Sequence, residues 1–483
     1  MNSLILRRGL LPILTLLLLP ATLLHARTLE VGPGRALSLP SQAAAVAQDG
    51  DTIAIDAGEY EDATNWTANN LVIRGVGGLA HVKNKTWGRK AIWVVQGDNT
   101  IIEWIEFSGA KVGDKNGAGI RQEGTTLIVR NCYFHHNEMG ILTGADAESE
   151  IVMEFCMFAH NGFGDGYSHN IYIGRIRRFI LRYCYSHDAV IGHNVKSRAH
   201  ESFILFNRFD EADGGNTSRE VDVPNGGLVV LLGNVFDHGL NTDNSNLVGY
   251  GMEGVSNPRK ELYVINNTFV TTRGAGGFIT LPSSGTAYVR IMNNLFVGRA
   301  DVLTGHTDQL DSSANYYTRD IAEAGFQDAL ARDFHLRATS PAIDRGIDPG
   351  SVNFSSLQAK AEYLHPANVK PRYTYGSIDL GAFEYVPPVS VRTAPAPSAL
   401  DISSVYPQPA EDHINLEVTV TEPFDITLYL YTLTGARVRE FSFSDLDIGS
   451  HQLTLSTRGL RPGLYLCTVN TSRGSSTKVI VIQ

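Results

Sequence analysis

The hydrophobic and polar positions in the middle of the chain follow a short phrase that recurs many times. Each copy has a Cys or Asn followed by alternating side chains, as in NCYFHHN, FCMFAHN, YCYSHD, GNVFDHG and NNTFV. The copies align on one column, whose members are Cys132, Cys156, Cys184, Asn207, Asn234, Asn267 and Asn294. Successive members are 24, 28, 23, 27, 33 and 27 residues apart. Intervals of this length predict a repeated structural unit rather than one compact core.

The length of the intervals restricts what the repeated unit can be. A strand–helix–strand unit needs about 30 residues or more, and most of the intervals are shorter. Helical periodicity is weak, and Val, Ile, Phe and Tyr are frequent, which favours strands. Three short strands and their turns fit one interval, so each copy forms one coil that stacks on the next. The sequence therefore predicts an all-β protein whose main domain, residues 27–385, is a right-handed parallel β-helix.

The shared column also predicts the state of the cysteines. Identical positions in stacked coils lie about 4.8 Å apart, so Asn side chains can hydrogen-bond one another as a ladder. A Cys fills the same position as a small apolar group, and parallel stacked side chains are poorly oriented for a disulfide. We therefore expect Cys132, Cys156 and Cys184 to be buried free thiols, with a disulfide between two of them as the alternative.

The two ends of the repeat have patterns of their own. QAAAVAQDGDTIAIDAGEY predicts a short helix near residues 41–48 and then a strand, and it resembles the N-terminal phrase of pectate-lyase-like β-helix proteins. The stack of coils is expected to end near Val297. The later segments DFHLRATSPAIDRG and SIDLGAFEY resemble the closing segment of many bacterial β-helix proteins. That resemblance implies a cap over the last coil, whose open edge would otherwise promote aggregation.

Residues 1–26 have the pattern of a secretory signal peptide. Arg7 and Arg8 precede an apolar run over 10–24, and Ala26 supplies a small residue at the expected cleavage site. The alternative is a membrane anchor, which is disfavoured because the run is shorter than the ~20 residues that span a bilayer. No other segment is apolar enough to span one, so we expect a secreted or cell-surface protein.

A second domain is expected after a linker. Residues 386–402 are rich in Pro, Ala and Ser, whereas residues 403–483 alternate apolar and polar positions between turns. The latter pattern predicts a small antiparallel β-sandwich. Its phrases YPQPA, LTGARV and GLRPGLYLCTV and the final strand around Lys478 resemble the C-terminal sorting domain of the type IX secretion system of Bacteroidota and relatives. The resemblance implies the secretion machinery as a partner, and a carbohydrate-binding sandwich is the alternative.

Composition narrows the class of partner. The 483 residues carry a formal net charge of −10 at pH 7. Such a charge argues against nucleic acid, whose binding proteins present a basic face. It is compatible with an acidic polysaccharide, because a local basic patch can bind such a ligand within an acidic protein.

Three consecutive coils contain strands with unusual polar residues, HNIYIG, HNVKSR and REVDVP. Because sides alternate along a strand, Ile171, Val195 and Val221 are expected to share an inward column. The expected outward residues are Asn170, Tyr172, Asn194, Lys196, Arg198, Glu220 and Asp222. Arg121, in GAGIRQEG, is expected to extend this face one or two coils earlier. An ordinary solvated β face would also be polar and is the alternative.

Several features favour a catalytic site over a solvated surface. Lys196 lies between Tyr172 and Asp222 on neighbouring coils, so different titratable groups converge. Two histidines also share one column at the strand edges. The predicted catalytic residues are Lys196, Arg198, Tyr172, His169 and His193. The predicted substrate-binding residues are Asn170, Asn194, Arg121, Arg219, Glu220 and Asp222.

β-Elimination of a uronate polymer suits this set of residues. The reaction needs a group that neutralises the carboxylate, a base that removes the C5 proton and an acid that protonates the departing O4. The candidates for neutralisation are Arg198, Arg219, Asn170 and Asn194. The candidate base is Lys196, and the candidate acids are Tyr172, His169 and His193.

The phrase VIGHNVKSRAHESFILFNRF resembles the catalytic coil of chondroitinase-B-like and alginate-lyase-like β-helix enzymes. The resemblance implies that Lys196 is the base and that Asn194 lies beside it. Those enzymes also use an Arg on the following coil, whereas the outward positions of that coil are here Glu220 and Asp222. Arg219 is close to them but has the opposite parity.

The cofactor and the reaction are left open between alternatives. Some members of that family bind calcium through acidic residues, and Glu220, Asp222 and Asp213 could do so here, although no calcium loop of fixed spacing is present. A glycoside hydrolase could use Asp222 with Glu220 or Asp213. A uronate epimerase shares the C5 chemistry, and a surface glycan-binding protein could use the same fold. The expected substrate is an acidic, uronate-containing polysaccharide.

Overall fold

The computed structural model describes residues 27–211, 214–387, 400–420, 424–432, 437–471 and 474–483. The chain divides into two compact units, Met1–Pro387 and Pro388–Gln483. The predicted signal peptide, residues 388–399 of the predicted linker, and Asp213 lie outside the described residues. Within the described part of the chain, no helix is long and apolar enough to cross a membrane.

The first unit is a parallel β-helix, as predicted. Each coil contributes strands to three stacks, and every strand pairs in parallel with its counterparts in the neighbouring coils. Among the described residues, the first two stacks form one 21-stranded sheet and the third stack forms a 10-stranded sheet. Because the pairing is parallel and in register, each position of the coil repeats as a column along the helix axis.

The strands of the three stacks have the following bounds. The first stack contains Thr28–Val31, Thr100–Glu103, Leu127–Arg130, Glu150–Glu154, Arg178–Arg182, Glu201–Leu205, Leu228–Leu232, Glu261–Ile265, Tyr288–Met292 and Gln309–Ser313. Two long strands run through the first and second stacks, Thr52–Tyr60 and Val72–Lys83. The second stack continues with Ile105–Ser108, Tyr133–His135, Met157–Ala159, Tyr185–His187, Arg208–Asp210, Val235–His238, Thr268–Thr271, Leu295–Val297 and Tyr316–Thr318. The third stack contains Thr64–Trp66, Ala91–Val95, Ala118–Gln122, Met139–Thr143, Ile171–Ile173, Val195–Ser197, Val221–Val223, Asn246–Tyr250, Gly277–Thr280 and Asp301–Thr304.

Aromatic side chains form a stacked core inside the coils. Phe209, Phe236, Phe269 and Phe296 share one inward position of the second stack and have no exposed surface. The ring centroids of successive members lie 5.3, 4.6 and 4.9 Å apart. Burial of each ring contributes about 1.5–3 kcal/mol, so the repeated Phe is a main source of stability for the stack.

The column of Cys and Asn side chains lies at the turn between the first two stacks. All four cysteines of the chain are buried and free, which confirms the predicted thiols. The backbone N–H and the Nδ2 of Asn207 both donate to Asn234 Oδ1 at 3.0 Å. The same pair of hydrogen bonds recurs from coil to coil as far as Asn315. The ladder therefore satisfies backbone groups that a buried turn would otherwise leave unpaired.

The stack ends one coil later than the predicted end near Val297. Asn315 continues the ladder, and Tyr316–Thr318 pairs with Leu295–Val297. The first strand of this last coil, Gln309–Ser313, is polar and largely exposed, so its sequence does not resemble the earlier copies. A terminal coil has no further coil to cover it and therefore needs fewer apolar side chains.

The N-terminal end of the β-helix contains one short helix, α1 (Pro40–Ala44). It is shorter than the predicted helix over 41–48, and it begins with a proline, which the first turn of a helix tolerates. Ala43 of α1 is buried in the main core. The predicted strand follows as Thr52–Tyr60.

The segment after the last coil covers a flank of the β-helix. It contains a 3-10 helix and short antiparallel strands: Ile321–Ala324, Phe326–Asp328, Asp333–Leu336, Ser351–Val352, Ser355–Ser356, Ala361–Leu364 and Asn368–Pro371. Phe326 and Phe334 pack with the outward side chains of Val270 and Val297. Among the described residues, the strands of the last coil pair only with the preceding coil. This packing covers the flank, where Val270 and Val297 present apolar side chains, and the expected cap over the end of the last coil stays a prediction.

The second unit is an antiparallel β-sandwich, as predicted. One sheet contains Leu400–Tyr406, His413–Val420 and Gly449–Ser456. The other sheet contains Phe424–Thr432, Arg437–Leu446, Gly463–Thr471 and Gly474–Ile482. Side chains from both sheets, including Leu416, Leu428 and Ile480, form a separate buried core.

Candidate active site

The third stack brings together residues that were predicted to share an outward column. Tyr172 pairs with Lys196, and Lys196 pairs with Asp222, on consecutive coils. Arg121 lies two coils before Tyr172, with Leu142 between them. The register therefore confirms the predicted alignment of Tyr172, Lys196 and Asp222. We call these five side chains, from Arg121 to Asp222, the groove column.

Three residues that were predicted to face outward point into the helix instead. Asn170, Asn194 and Glu220 have no exposed surface. Each immediately precedes a third-stack strand, where the chain is still turning and the alternation of a strand does not apply. Asn170 Nδ2 donates to Asn194 Oδ1 (2.8 Å), and Asn194 Nδ2 donates to Glu220 Oε2 (2.6 Å). The outward placement of these three residues is therefore wrong, and they form a second internal ladder.

A groove of about 930 Å³ lies on the outward face of the third stack. Its lining includes the apolar Met139 and Leu142. The charged side chains that line it are Arg121, Arg175, Lys196, Arg198 and Glu253. Cations thus predominate locally, although the whole chain is acidic. Arg121 is partly exposed in the groove, and its buried Nε lies 3.9 Å from Glu123 Oε1.

Lys196 and Arg198 both contact the carboxylate of Glu253 in this groove. Lys196 Nζ lies 3.1 Å from Glu253 Oε1 and 3.9 Å from Asp222 Oδ2. Arg198 Nη2 donates to Glu253 Oε2 at 2.7 Å, and its Nε donates to the hydroxyl of Tyr172 at 2.9 Å. The two cations and the phenol therefore form one connected network.

Glu253 was not predicted as a site residue. It lies in the loop after Asn246–Tyr250, within the longest interval of the repeat, 33 residues between Asn234 and Asn267. That length indicated an insertion but not which of its residues reaches the groove. Burial alone would raise the pKa of Glu253, but hydrogen bonds from Arg198 and Lys196 outweigh it and lower the pKa.

His169 and His193 lie side by side at the inner edge of the groove. Their rings are 4.8 Å apart and nearly parallel, at 6°. The backbone N–H of His193 donates to His169 Nδ1 (2.9 Å), and that of Arg219 donates to His193 Nδ1 (3.1 Å). When neutral, each ring therefore carries its proton on Nε2. Burial is the main cause that lowers the pKa of both rings well below the ordinary value, so both are neutral near pH 7.

Arg219 pairs with Asp222 and is not among the groove-lining residues. Its Nη1 donates to Asp222 Oδ1 at 3.1 Å. The pair closes over Gly249, where an added Cβ would lie 2.7 Å from Asp222 Oδ1 and 3.2 Å from Arg219. Burial raises the pKa of Asp222, although Arg219 and Lys196 act in the opposite direction. His193 Nε2 lies 3.7 Å from Asp222 Oδ2, so this carboxylate is enclosed at the end of the groove column.

The expected calcium ligands do not come together. Glu220 faces the interior beside Asn194, whereas Asp222 belongs to the groove column and Asp213 lies outside the described residues. Within the described ranges, three groups place ligand atoms within 4.8 Å of one another, and Asp222 belongs to none of them. These groups are His81–Glu106–His135, His160–His187–Asp188 and Glu211–Glu220–His238.

Comparison with protein families identifies the second unit. Residues 404–483 match the family model of the secretion system C-terminal sorting domain. The match confirms the sorting domain predicted from its phrases, and it supports a secreted or cell-surface location. The chain matches no curated protein.

A comparison with solved structures found two that are distantly similar to this chain. The crystal structure of pectate lyase Pel9A is 15% identical with a TM-score of 0.49, and the alignment covers 74% of this chain and 96% of that chain. The crystal structure of a pectin methylesterase in complex with a hexasaccharide is 10% identical with a TM-score of 0.33, covering 45% and 80% of the two chains. Likeness at this level concerns the fold, and the argument for activity comes from the groove itself.

Proposed function

We propose that the first unit is a secreted polysaccharide lyase that cleaves a uronate-containing polymer by β-elimination. One observation carries the proposal: Lys196 and Arg198 together contact both oxygens of the Glu253 carboxylate. Two hydrogen-bond donors at this spacing suit the carboxylate of a uronate equally well, with Arg198 supplying the positive charge. Because C5 of a uronate bears its carboxylate, a substrate bound in this way brings the C5 proton next to Lys196.

The groove suits an extended anionic chain. Arg121 lies three strand spacings, about 14 Å, from Lys196 along the same face. Its guanidinium, which is partly exposed in the groove, can bind a second carboxylate of the same polymer. The excess of cations in the groove of an acidic chain favours an acidic polymer over a neutral one. The sorting domain supports an extracellular substrate.

The proposed reaction moves two protons. Lys196, as a free amine, takes the proton from C5, and Asp222, 3.9 Å from its Nζ, stabilises the ammonium that forms. The electrons of the C5–H bond form the C4=C5 double bond as the bond between C4 and O4 breaks. Tyr172 gives its hydroxyl proton to O4, and Arg198 Nε stabilises the phenolate that remains. The proton that Lys196 took from C5 then passes to Tyr172, which restores both groups.

His169 and His193 have a positioning role in this scheme. His169 stacks on Tyr172 with ring centroids 5.6 Å apart at 16°. His193 places its Nε2 beside Asp222. As neutral rings they orient the proton donor and the carboxylate beside the base without adding charge, which differs from the acid role that the sequence suggested.

Incubation of the purified protein with polygalacturonate, alginate and glycosaminoglycans tests the proposal. A lyase creates one C4=C5 double bond, which absorbs in the ultraviolet, for each new reducing end. Equal yields of the two products are expected. New reducing ends without the ultraviolet absorbance would contradict β-elimination.

A glycoside hydrolase is the second candidate, because Asp222 and Glu253 flank Lys196 from two sides. This pair replaces the pairs with Glu220 or Asp213 that the sequence suggested. A hydrolase needs one protonated and one ionised carboxyl group, and burial raises the pKa of Asp222 whereas the two cations lower that of Glu253. Exchange of the C5 proton without cleavage would instead favour an epimerase.

A further inference from the structure

A buried group of ionisable side chains lies behind the groove column and has no role in the proposed reaction. Glu211, Glu220 and His238 are 1%, 0% and 0% exposed. Glu211 and His238 lie at the ends of neighbouring second-stack strands, and Glu220 precedes a third-stack strand. All three therefore lie at the turn between the second and third stacks, on adjacent coils.

The ligand atoms of these side chains converge on one point. His238 Nδ1 lies 2.8 Å from Glu220 Oε1, and an oxygen of Glu211 lies within 4.8 Å of both. Histidine nitrogens and carboxylate oxygens bind a zinc ion at about 2.0–2.2 Å. Two atoms bound to the same ion can therefore be separated by up to twice that bond length. The spacing therefore fits a single ion.

The other polar atom of each of these side chains forms a hydrogen bond with a neighbouring residue. His238 Nε2 donates to the carbonyl of Asn244 at 2.8 Å, so Nδ1 keeps its lone pair when the ring is neutral. Asn194 Nδ2 donates to Glu220 Oε2 (2.6 Å), and the N–H of Gly239 donates to Glu211 Oε2 (2.7 Å). Outer hydrogen bonds of this kind orient the ligands of metal sites.

Of the three facing atoms, His238 Nδ1 and Glu220 Oε1 are partners of each other, and Glu211 Oε1 is the one left over. Glu211 Oε1 is buried and, within the described residues, accepts no hydrogen bond. Two carboxyl groups buried together need either protons or a cation between them.

We propose that His238, Glu220 and Glu211 bind a divalent transition metal ion of the zinc type. The histidine ligand favours zinc over calcium or magnesium, which prefer oxygen ligands alone. The ion would join two coils through their turns, and Asn194 would connect it to the strand that carries Lys196. The site is structural and stands whether or not the groove is that of a lyase.

Metal analysis of the purified full-length chain tests this proposal. After treatment with a chelator and addition of Zn²⁺, we expect one tightly held zinc per chain and a rise in Tm. Glu211→Gln should lose the stoichiometric zinc, bind Zn²⁺ more than about tenfold more weakly, and lose the rise in Tm. A wild-type chain that retains no zinc and shows no rise in Tm would overturn the proposal.

Glu106→Gln is the matched control, because Glu106 belongs to the half-buried group His81–Glu106–His135. It should leave the tight zinc in place. Loss of zinc in Glu106→Gln but not in Glu211→Gln would overturn the proposal. So would a Glu211→Gln variant that is as stable as the metal-loaded wild type, since the Gln amide can replace a proton shared with Glu220 but not a metal ion.

X-ray absorption of the wild-type zinc protein needs no variant to fold. One imidazole nitrogen with oxygen ligands is the expected first shell. Two imidazole ligands would assign the ion to a different cluster, since each of the other two groups contains two histidines.

Discussion

Two columns of stacked polar side chains follow the same geometric rule and have opposite characters. The amide column, from Asn207 to Asn315, repeats one residue type on every coil and is buried where it joins the coils. The groove column changes at every coil; its members from Arg121 to Lys196 line an open groove, whereas Asp222 is buried at its end. The column that repeats one residue type thus has a structural role, whereas the column whose residues vary from coil to coil contains the candidate catalytic side chains. Substitutions in the two columns should separate stability from activity.

The largest expected effect is that of Lys196→Ala on catalysis. Loss of a group that transfers a proton in the transition state lowers kcat by about 10²- to 10⁴-fold. The free energy of unfolding should change by less than about 1 kcal/mol, since Asp222 keeps its pairing with Arg219. Release of unsaturated product and urea unfolding measure the two quantities.

Lys85→Ala is the control for that variant, because Lys85 is exposed and outside the groove. It should retain full activity. An unfolded Lys196→Ala, or an active one, would contradict the division between the two columns.

Tyr172→Phe should lower kcat by about 10²-fold because it removes the proton that O4 receives. The ring remains and can still stack on His169, so KM should change little. Steady-state kinetics with a defined polymer separate the two constants. A rise in KM at unchanged kcat would assign Tyr172 to binding alone.

Asn234→Ala should break the amide column and lower the free energy of unfolding by about 1–3 kcal/mol, because the buried N–H groups of Asn207 lose their acceptor. The activity per folded molecule should not change. Asn241→Ala at an exposed position is the control and should cost less than about 0.5 kcal/mol. Equal destabilisation by both variants would mean that the ladder contributes nothing.

The buried histidines should make the free energy of unfolding depend on pH. Substitution of one of them can separate its effect from that of other buried groups. The pKa of His169 is lowered on folding, so the unfolded state binds more protons than the folded state below about pH 6.5. The free energy of unfolding therefore decreases as the pH falls through this range. Glu220 acts in the opposite direction because burial raises its pKa. We therefore compare wild type with His169→Gln rather than the wild-type slope alone.

The difference in stability between wild type and His169→Gln should shrink below pH 6.5 by up to about 1.4 kcal/mol per pH unit. Chemical unfolding at a series of pH values measures it. A constant difference for His169→Gln would contradict its burial as a neutral ring.

The smallest expected effect on catalysis is that of removing residues 403–483. The β-sandwich has its own core, so the truncated chain should keep kcat unchanged. Export should be lost, because the sorting domain matches residues 404–483. Activity assays on the truncated protein and fractionation of the producing cells check the two outcomes. A folded but inactive truncated chain would show that the tail contributes to catalysis.

Most of the fold could be predicted because a β-helix repeats its constraints. Every coil must place a small or amide side chain at the same turn, so Cys132 to Asn294 could be aligned without a structure. The same register aligned Tyr172, Lys196 and Asp222. The last coil keeps the amide at Asn315, and it was missed because its first strand, Gln309–Ser313, does not resemble the earlier copies.

The candidate site could be predicted only in part. Alternation along a strand indicated the correct side for Lys196 but the wrong side for Asn194, because Asn194 lies in the turn before the strand. Glu253 reaches Lys196 from a loop 57 residues further along the chain, at a place that no repeat specifies.

The amino-acid sequence alone was sufficient to predict the coils, their register and the sides on which residues within a strand point. These features depend on local geometry and on a spacing that repeats. Contacts between distant parts of the chain determine three further features. These are the side on which a turn residue points, the loop that brings Glu253 to the groove, and the flank that the final segment covers. Those contacts form only when the coils have stacked, and no periodic pattern in the chain encodes them.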